Sequence, residues 1–148
     1  MAKKSTFNLD EGVPFLVHRL ASRLASVANE RFRAQGINIK VARVLMVLRT
    51  NEDATVQQLC EATAIDQSTM SHMLNRLTAK QLVTKKREDS DNRTVRVSLT
   101  AKGAKLAVTC AEVANNYEEK AVASLSPRQS AELRHMLVVV YRNFDDAV

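Results

Sequence analysis

One stretch of this chain interrupts an otherwise helical texture. Between Val83 and Leu99, Val95, Val97 and Leu99 alternate with Arg96 and Ser98, the period of a strand buried on one face. The run Thr84-Lys85-Lys86-Arg87 precedes it across a charged turn, Glu88 to Arg93. The pair therefore reads as a short basic β-hairpin set among helices. Three glycines and two prolines in 148 residues leave few breakers, which favours long helices with short connections. The expected fold class is mainly α with a small β-hairpin.

Helical periodicity fills the rest of the chain. From Val13 to about Ala34, Leu16, Val17, Leu20, Leu24 and Val27 recur at three- and four-residue steps, an amphipathic helix that Gly36 stops. A second runs from Ile37 to Leu48, ended by the loop Asn51-Glu52-Asp53. Thr55-Val56-Gln57-Gln58 fits a capping box for a short helix through about Thr63. Asp66 then caps Gln67 to Lys80 after a turn centred on Ala64 and Ile65. Two helices joined so tightly are a helix-turn-helix candidate. Beyond the hairpin, Thr100 caps a helix reaching about Ser124. Ser126-Pro127-Arg128-Gln129 opens a last one to about Phe144, whose apolar side is Leu133, Met136, Leu137, Val140, Tyr141 and Phe144.

The helix Gln67 to Lys80 has two contrasting faces. Met70, Met73, Leu74 and Leu77 form an apolar stripe, while Ser68, Ser71, His72, Asn75 and Ala79 lie opposite. That second face is either a plain solvated surface or one that enters a major groove, since it carries hydrogen-bonding groups and no acid to repel phosphate. Charge favours the second reading. From Gln67 to Lys105 there are nine basic residues against three acidic ones, a net of +6, and the whole chain also carries +6. A basic field concentrated in one segment is the footprint of a polyanion binder.

Other features narrow the class. No apolar run approaches the roughly 20 residues of a membrane helix, and no apolar leader follows Met1, so a cytoplasmic location is expected. Cys60 and Cys110 lie far apart with no ligand cluster, so neither a metal site nor a disulfide is expected. His18, His72 and His135 are scattered, and neither a nucleophile–base motif nor a glycine-rich phosphate loop is present. The chain is not expected to be an enzyme or to carry a cofactor. A protein-interaction module is the other class to consider, and the basic hairpin argues against it.

A helix-turn-helix followed by a hairpin wing, with helices before and after, resembles the MarR family of bacterial transcription regulators. The most specific part is Asp91-x-Arg93, an alternating strand, Leu99-Thr100 and then Lys102-Gly103. Where family members often carry glycine around the recognition helix, this chain has Ala64 and Gln81. The resemblance implies a winged helix-turn-helix over 37–100. The helices of 1–36 and 101–148 would form an intertwined dimerisation domain. It implies a homodimer on a pseudo-palindromic double-stranded operator, with half-sites roughly 10 base pairs apart. The protein is then expected to be a repressor released by a small-molecule effector, for instance an aromatic or phenolic acid or a related CoA thioester, with an activating regulator as the rival reading.

Roles follow residue by residue. Ser68, Ser71, His72 and Asn75 are expected at base edges, Asn75 as a bidentate partner of adenine, with Gln67 and Thr69 near phosphates; Thr69 is alternatively just a cap partner of Asp66. Arg93 resembles the family's minor-groove arginine, and Asp91 would orient it or brace the hairpin through Arg76 or Arg87. Lys85, Lys86, Arg87 and Arg96 read as phosphate contacts, although some of them equally suit a soluble strand edge. Effector-site candidates are His18, Arg19, Arg23, Arg43, Met46 and Tyr117; the arginines of the first helix, Arg19 and Arg23, alternatively form surface or intersubunit ion pairs. Two other readings remain: a redox-responsive regulator working through Cys60 or Cys110, although both look like inert core thiols, and a ligand-independent DNA-binding protein.

Overall fold

The computed structural model describes residues 10–88 and 91–144. In chain order its elements are α1 (Val13–Arg33), α2 (Ile39–Thr50), β1 (Asp53–Thr55), α3 (Val56–Thr63), α4 (Gln67–Ala79), β2 (Val83–Glu88), β3 (Asp91–Leu99), α5 (Ala101–Val122) and α6 (Pro127–Arg142). The fold class read from the sequence is the one observed, with one correction. Asp53, expected in a loop, opens a third strand. Asp53, Ala54 and Thr55 pair antiparallel with Ser98, Val97 and Arg96, so the sheet order is β1-β3-β2. Three residues are too few to show a period; β1 exists because β3 offers it a second ladder.

The helix starts are built as their sequences indicate. Thr55 accepts from the Gln58 amide while the Gln58 side chain accepts from the Thr55 amide, and Ser126 and Gln129 repeat the arrangement. Asn38 caps α2 through the Val41 amide, and Asn29 of α1 accepts from the Ile39 amide at 2.8 Å. The first turn of α2 is thereby tied to α1. Asp66 caps α4 through the Thr69 amide at 2.8 Å.

The chain divides into two compact units between Val113 and Ala114. In the first, the core is drawn from every element: Phe32 of α1, Val44, Leu45 and Leu48 of α2, Leu59 of α3, Met70, Met73, Leu74 and Leu77 of α4, and Val83 and Val97 of the sheet are all buried. Burying such a side chain is worth about 1.5–3 kcal/mol, so α4 is held by its apolar stripe and its opposite face stays in solvent. The second unit contains the end of α5 and α6, where Arg134 of α6 donates to Glu118 of α5 at 2.7 and 3.1 Å.

Several apolar residues of α1, in the first unit, and of α6, in the second, are exposed. Val13, Leu16, Val17, Leu20 and Leu24 of α1 are between 37% and 54% exposed, and Met136, Leu137, Val138, Val139 and Tyr141 of α6 between 42% and 66%. Among the described residues, no helix is long and apolar enough to cross a membrane.

Candidate nucleic-acid interface

Two sharp turns place α4. Ala64, between α3 and α4, has φ 52°, and Gln81, after α4, has φ 56°. Both occupy the left-handed region that favours glycine and costs other residues about 1–2 kcal/mol. These are the positions where the sequence shows Ala and Gln in place of glycine. The strain is accepted because each turn redirects the chain within one residue.

The C-terminal end of α4 is held from α5. The Thr100 hydroxyl lies 2.7 Å from the Gln81 carbonyl and 3.2 Å from that of Leu82, and also accepts from the Gly103 amide at 3.0 Å. The Thr100 amide donates to the Leu82 carbonyl at 3.1 Å, and the Lys102 ammonium donates to the Lys80 carbonyl at 3.0 Å. Gly103 is buried, and a Cβ built on it would stand 1.9 Å from the Leu82 oxygen. The run Leu99-Thr100-x-Lys102-Gly103 is therefore a backbone clamp. It satisfies carbonyls at the helix end that would otherwise lack partners, and it allows α5 to approach with no side chain in between.

On the outer face of α4, Gln67, Ser68, Ser71, His72, Asn75 and Arg76 are exposed, and Thr69 is half-buried. The Thr69 amide and hydroxyl hold the Asp66 carboxyl below its usual range, so Asp66 stays ionised as a cap. Lys85, Lys86 and Arg87 are exposed on β2. Register places Lys85 opposite the buried Val97 and Lys86 opposite Arg96. Successive strand residues point to opposite faces, so Lys85 projects on the side of the sheet that carries the core and Lys86 on the other. The Lys85 ammonium reaches the Asn75 amide oxygen at 2.5 Å. Arg96 instead faces Asp53 at 3.3 Å, across the strand pair that sequence reading did not anticipate. Asp91 and Arg93 open β3, and their side chains lie outside the described residues.

One contributor went unnoticed in the sequence. A groove beside α4 is bordered by Lys40 of α2 together with His72, Arg76 and Lys80. Lys40 is also close enough to Asp66 to help keep its carboxyl ionised. Nothing in the local sequence links Lys40 to α4; only packing of α2 on the helix-turn-helix brings them together.

The expected effector residues separate into groups. His18, Arg19 and Arg23 border one open surface of α1 with Leu16 and Leu20, where Arg19 meets Asp10 at 3.8 Å. Arg43 and Met46 belong to α2, exposed and half-buried respectively, and Tyr117 belongs to the second unit. Cys110 is buried, and burial pushes its thiol up to about 11. Cys60 is half-buried and also raised, first by burial and then by Asp66 and Glu61.

Comparison with known proteins places this architecture. Residues 35–94, spanning the helix-turn-helix and most of the wing, match the model of the MarR family. The organic hydroperoxide resistance transcriptional regulator of Bacillus subtilis (strain 168) is 29% identical over 97 residues. The match covers 66% of this chain and 63% of that protein, so it spans less than two thirds of the relative. A mutant of MarR from E. coli complexed with operator DNA superposes with a TM-score of 0.80 at 24% identity, covering 91% of this chain and 97% of that one. The MepR–DNA complex of S. aureus gives 0.84 at 18% identity, covering 90% and 99%. These two likenesses are of fold. Taken with the sequence match across the winged helix-turn-helix, they lead to one conclusion: the chain has the fold of these MarR-family structures, and its residues 35–94 are similar to the MarR family model.

Proposed function

We propose that this protein is a homodimeric DNA-binding transcription regulator, a repressor that occupies a pseudo-palindromic operator in the cytoplasm and leaves it on binding a small molecule. The observation that carries the reading is the outer face of α4, which is exposed and acid-free, with the basic strand β2 beside it. The family-model match over residues 35–94 and the DNA-bound state of two structural neighbours support it. In this reading Ser68, Ser71, His72 and Asn75 meet base edges in the major groove, with Gln67 and Thr69 near its phosphates. Arg76, Lys85, Lys86, Arg87, Arg96 and the wing residues Asp91 and Arg93 secure the flanking backbone and minor groove. Lys40 and Lys80 extend the basic border.

The dimer is supported by the uncovered apolar faces of α1 and α6, since monomeric proteins rarely leave contiguous apolar patches of this kind in water. A second copy supplies their cover, with the helices of 1–36 and 101–148 as the dimerisation elements. Leu20→Glu places a charge in the α1 face and shifts the protein towards monomer in sedimentation; a variant that sediments like the parent at every concentration would remove α1 from the interface.

For release, a ligand must bind one spacing of the two recognition helices better than the other. His18, Arg19 and Arg23 on α1 suit a carboxylate or phosphate, and an aromatic acid or CoA thioester has that chemistry. A redox trigger at Cys60 or Cys110 is disfavoured by the raised pKa of both thiols, because the thiolate is the reactive species.

The test is selection of genomic fragments by the purified protein at near-physiological salt, followed by sequencing. Enrichment of an inverted repeat is the expected result. Retention of fragments without any shared sequence would refute the operator-specific reading.

A further inference from the structure

Asn75 stands on the exposed face of α4, where a free carboxamide pairs with adenine by donating to N7 and accepting from the N6 amino group. Its oxygen is the one acceptor atom the side chain has, with two lone pairs, and one of these takes the Lys85 ammonium at 2.5 Å. What remains on the pair's outer edge is two amide N–H donors from Asn75 and the unspent N–H donors of Lys85. Donors thus outnumber the single lone pair left on the oxygen, and the ammonium beside that oxygen gives the edge a positive charge that repels a further amino donor.

The fold brings the two side chains within reach of each other. The β2–β3 register sets Lys85 opposite the buried Val97, with Val83 two residues earlier opposite Leu99. Lys85 thus shares the core face of the sheet with Val83, and its stem leaves that face beside α4. The clamp at Thr100 and Lys102 fixes the end of α4 against the turn into β2, so helix and strand keep this spacing. A charge-assisted hydrogen bond to an ionised donor is about twice as strong as a neutral one.

Base edges differ in what they offer such a pair. In the major groove guanine presents two adjacent acceptors, N7 and O6, whereas adenine places an amino donor beside N7. Thymine offers one acceptor, and cytosine an amino donor. Adenine and cytosine would each set a donor against a donor. We infer that Asn75 and Lys85 act as one donor-dominated, positively charged reading element that selects guanine in each half-site. The inference rests on the DNA-binding reading above, and it replaces the adenine contact that Asn75 alone suggests.

The experiment compares the full chain with Asn75→Ala and Lys85→Met. Each is used to select from random duplexes of about 20 base pairs, two helical turns. Binding is then titrated on duplexes carrying each of the four bases at the position that responds to Asn75. The parent is expected to prefer guanine to adenine there by roughly ten- to hundredfold, the range of one bidentate contact. Asn75→Ala flattens that position. Lys85→Met keeps the stem, frees the carboxamide oxygen and moves the preference to adenine.

Adenine enriched by the parent at the Asn75-dependent position would overturn the inference. So would a Lys85→Met protein that binds every sequence more weakly with the guanine preference intact, since Lys85 would then be a phosphate contact. A parent that enriches no sequence would overturn the operator reading itself. Both variants sit on the surface, and unchanged melting curves confirm that they are folded.

Discussion

Gly103→Ala tests the clamp between α4 and α5. The added Cβ would stand 1.9 Å from the Leu82 carbonyl oxygen, 2.9 Å from its carbon and 3.3 Å from Leu99 Cδ2. The nearest of these atoms is backbone, so no rotamer change relieves the contact. Bringing the separation to 3.0 Å, the shortest that real Cβ atoms show, moves α5 and the wing apart by at least about 1.1 Å. The Thr100 amide bond to the same oxygen, now 3.1 Å, would stretch past hydrogen-bonding range. Overpacking costs about 1–3 kcal/mol, and a partly buried carbonyl left without its donor costs about 1–3 kcal/mol more. Against this, alanine in a helix gains up to about 1 kcal/mol over glycine. The net loss is about 1–6 kcal/mol, or on the order of 10 °C in Tm at the middle of that range for a chain of this length. Thermal unfolding followed by circular dichroism at fixed protein concentration measures it. Gly36→Ala is the control: φ there is +67° and nothing lies within 4 Å of the added atom, so it should cost only about 1 kcal/mol through backbone strain. A Gly103→Ala protein melting at or above the parent would refute the close approach of α5 to Leu82.

Three further outcomes are expected. Ala64→Gly and Gln81→Gly relieve left-handed strain and should each raise stability by about 1 kcal/mol in urea unfolding; a loss from either would mean that its turn is not left-handed in solution. The Asp66 carboxyl is held below its ordinary value of 3.8, so its contribution is complete above that pH and is lost as pH falls through the lower, folded value. The stability gap between the parent and Asp66→Asn should therefore hold steady from pH 5 to 8 and narrow below about pH 4, and a gap that widens on acidification would contradict the cap. Cys110, with its thiol pushed up to about 11, should resist an aromatic disulfide reagent at pH 7.5 until the protein unfolds, and Cys60 should react slowly, faster as pH rises; rapid native labelling of Cys110 would reopen the redox reading.

The elements most legible in the sequence are those whose stability is local. Capping residues at Thr55, Asp66 and Ser126 mark helix starts that the structure keeps, and the stripe Met70, Met73, Leu74, Leu77 is buried as its spacing implies. Strand β1 was hidden because Asp53, Ala54 and Thr55 hold their conformation only through β3, more than 40 residues on. Lys40 was hidden for a similar reason, since its place beside α4 comes from packing. The periodicity of α1 and α6 was plain, yet periodicity reports that a face is apolar and not what covers it. Asn75 illustrates a different gap: residue type suggests its partner, but the neighbour that takes its oxygen comes from another element.

The clamp on the end of α4 grips carbonyl oxygens of Lys80, Gln81 and Leu82, and a carbonyl is the same in every residue. Nothing in that anchorage depends on the side chains at Ser68, Ser71, His72 or Asn75. Exposed positions of this kind usually change stability by no more than about 0.5 kcal/mol when substituted. The scaffold thus separates what holds the helix from what it displays, and a lineage built on it can drift from one target sequence to another without passing through unfolded intermediates.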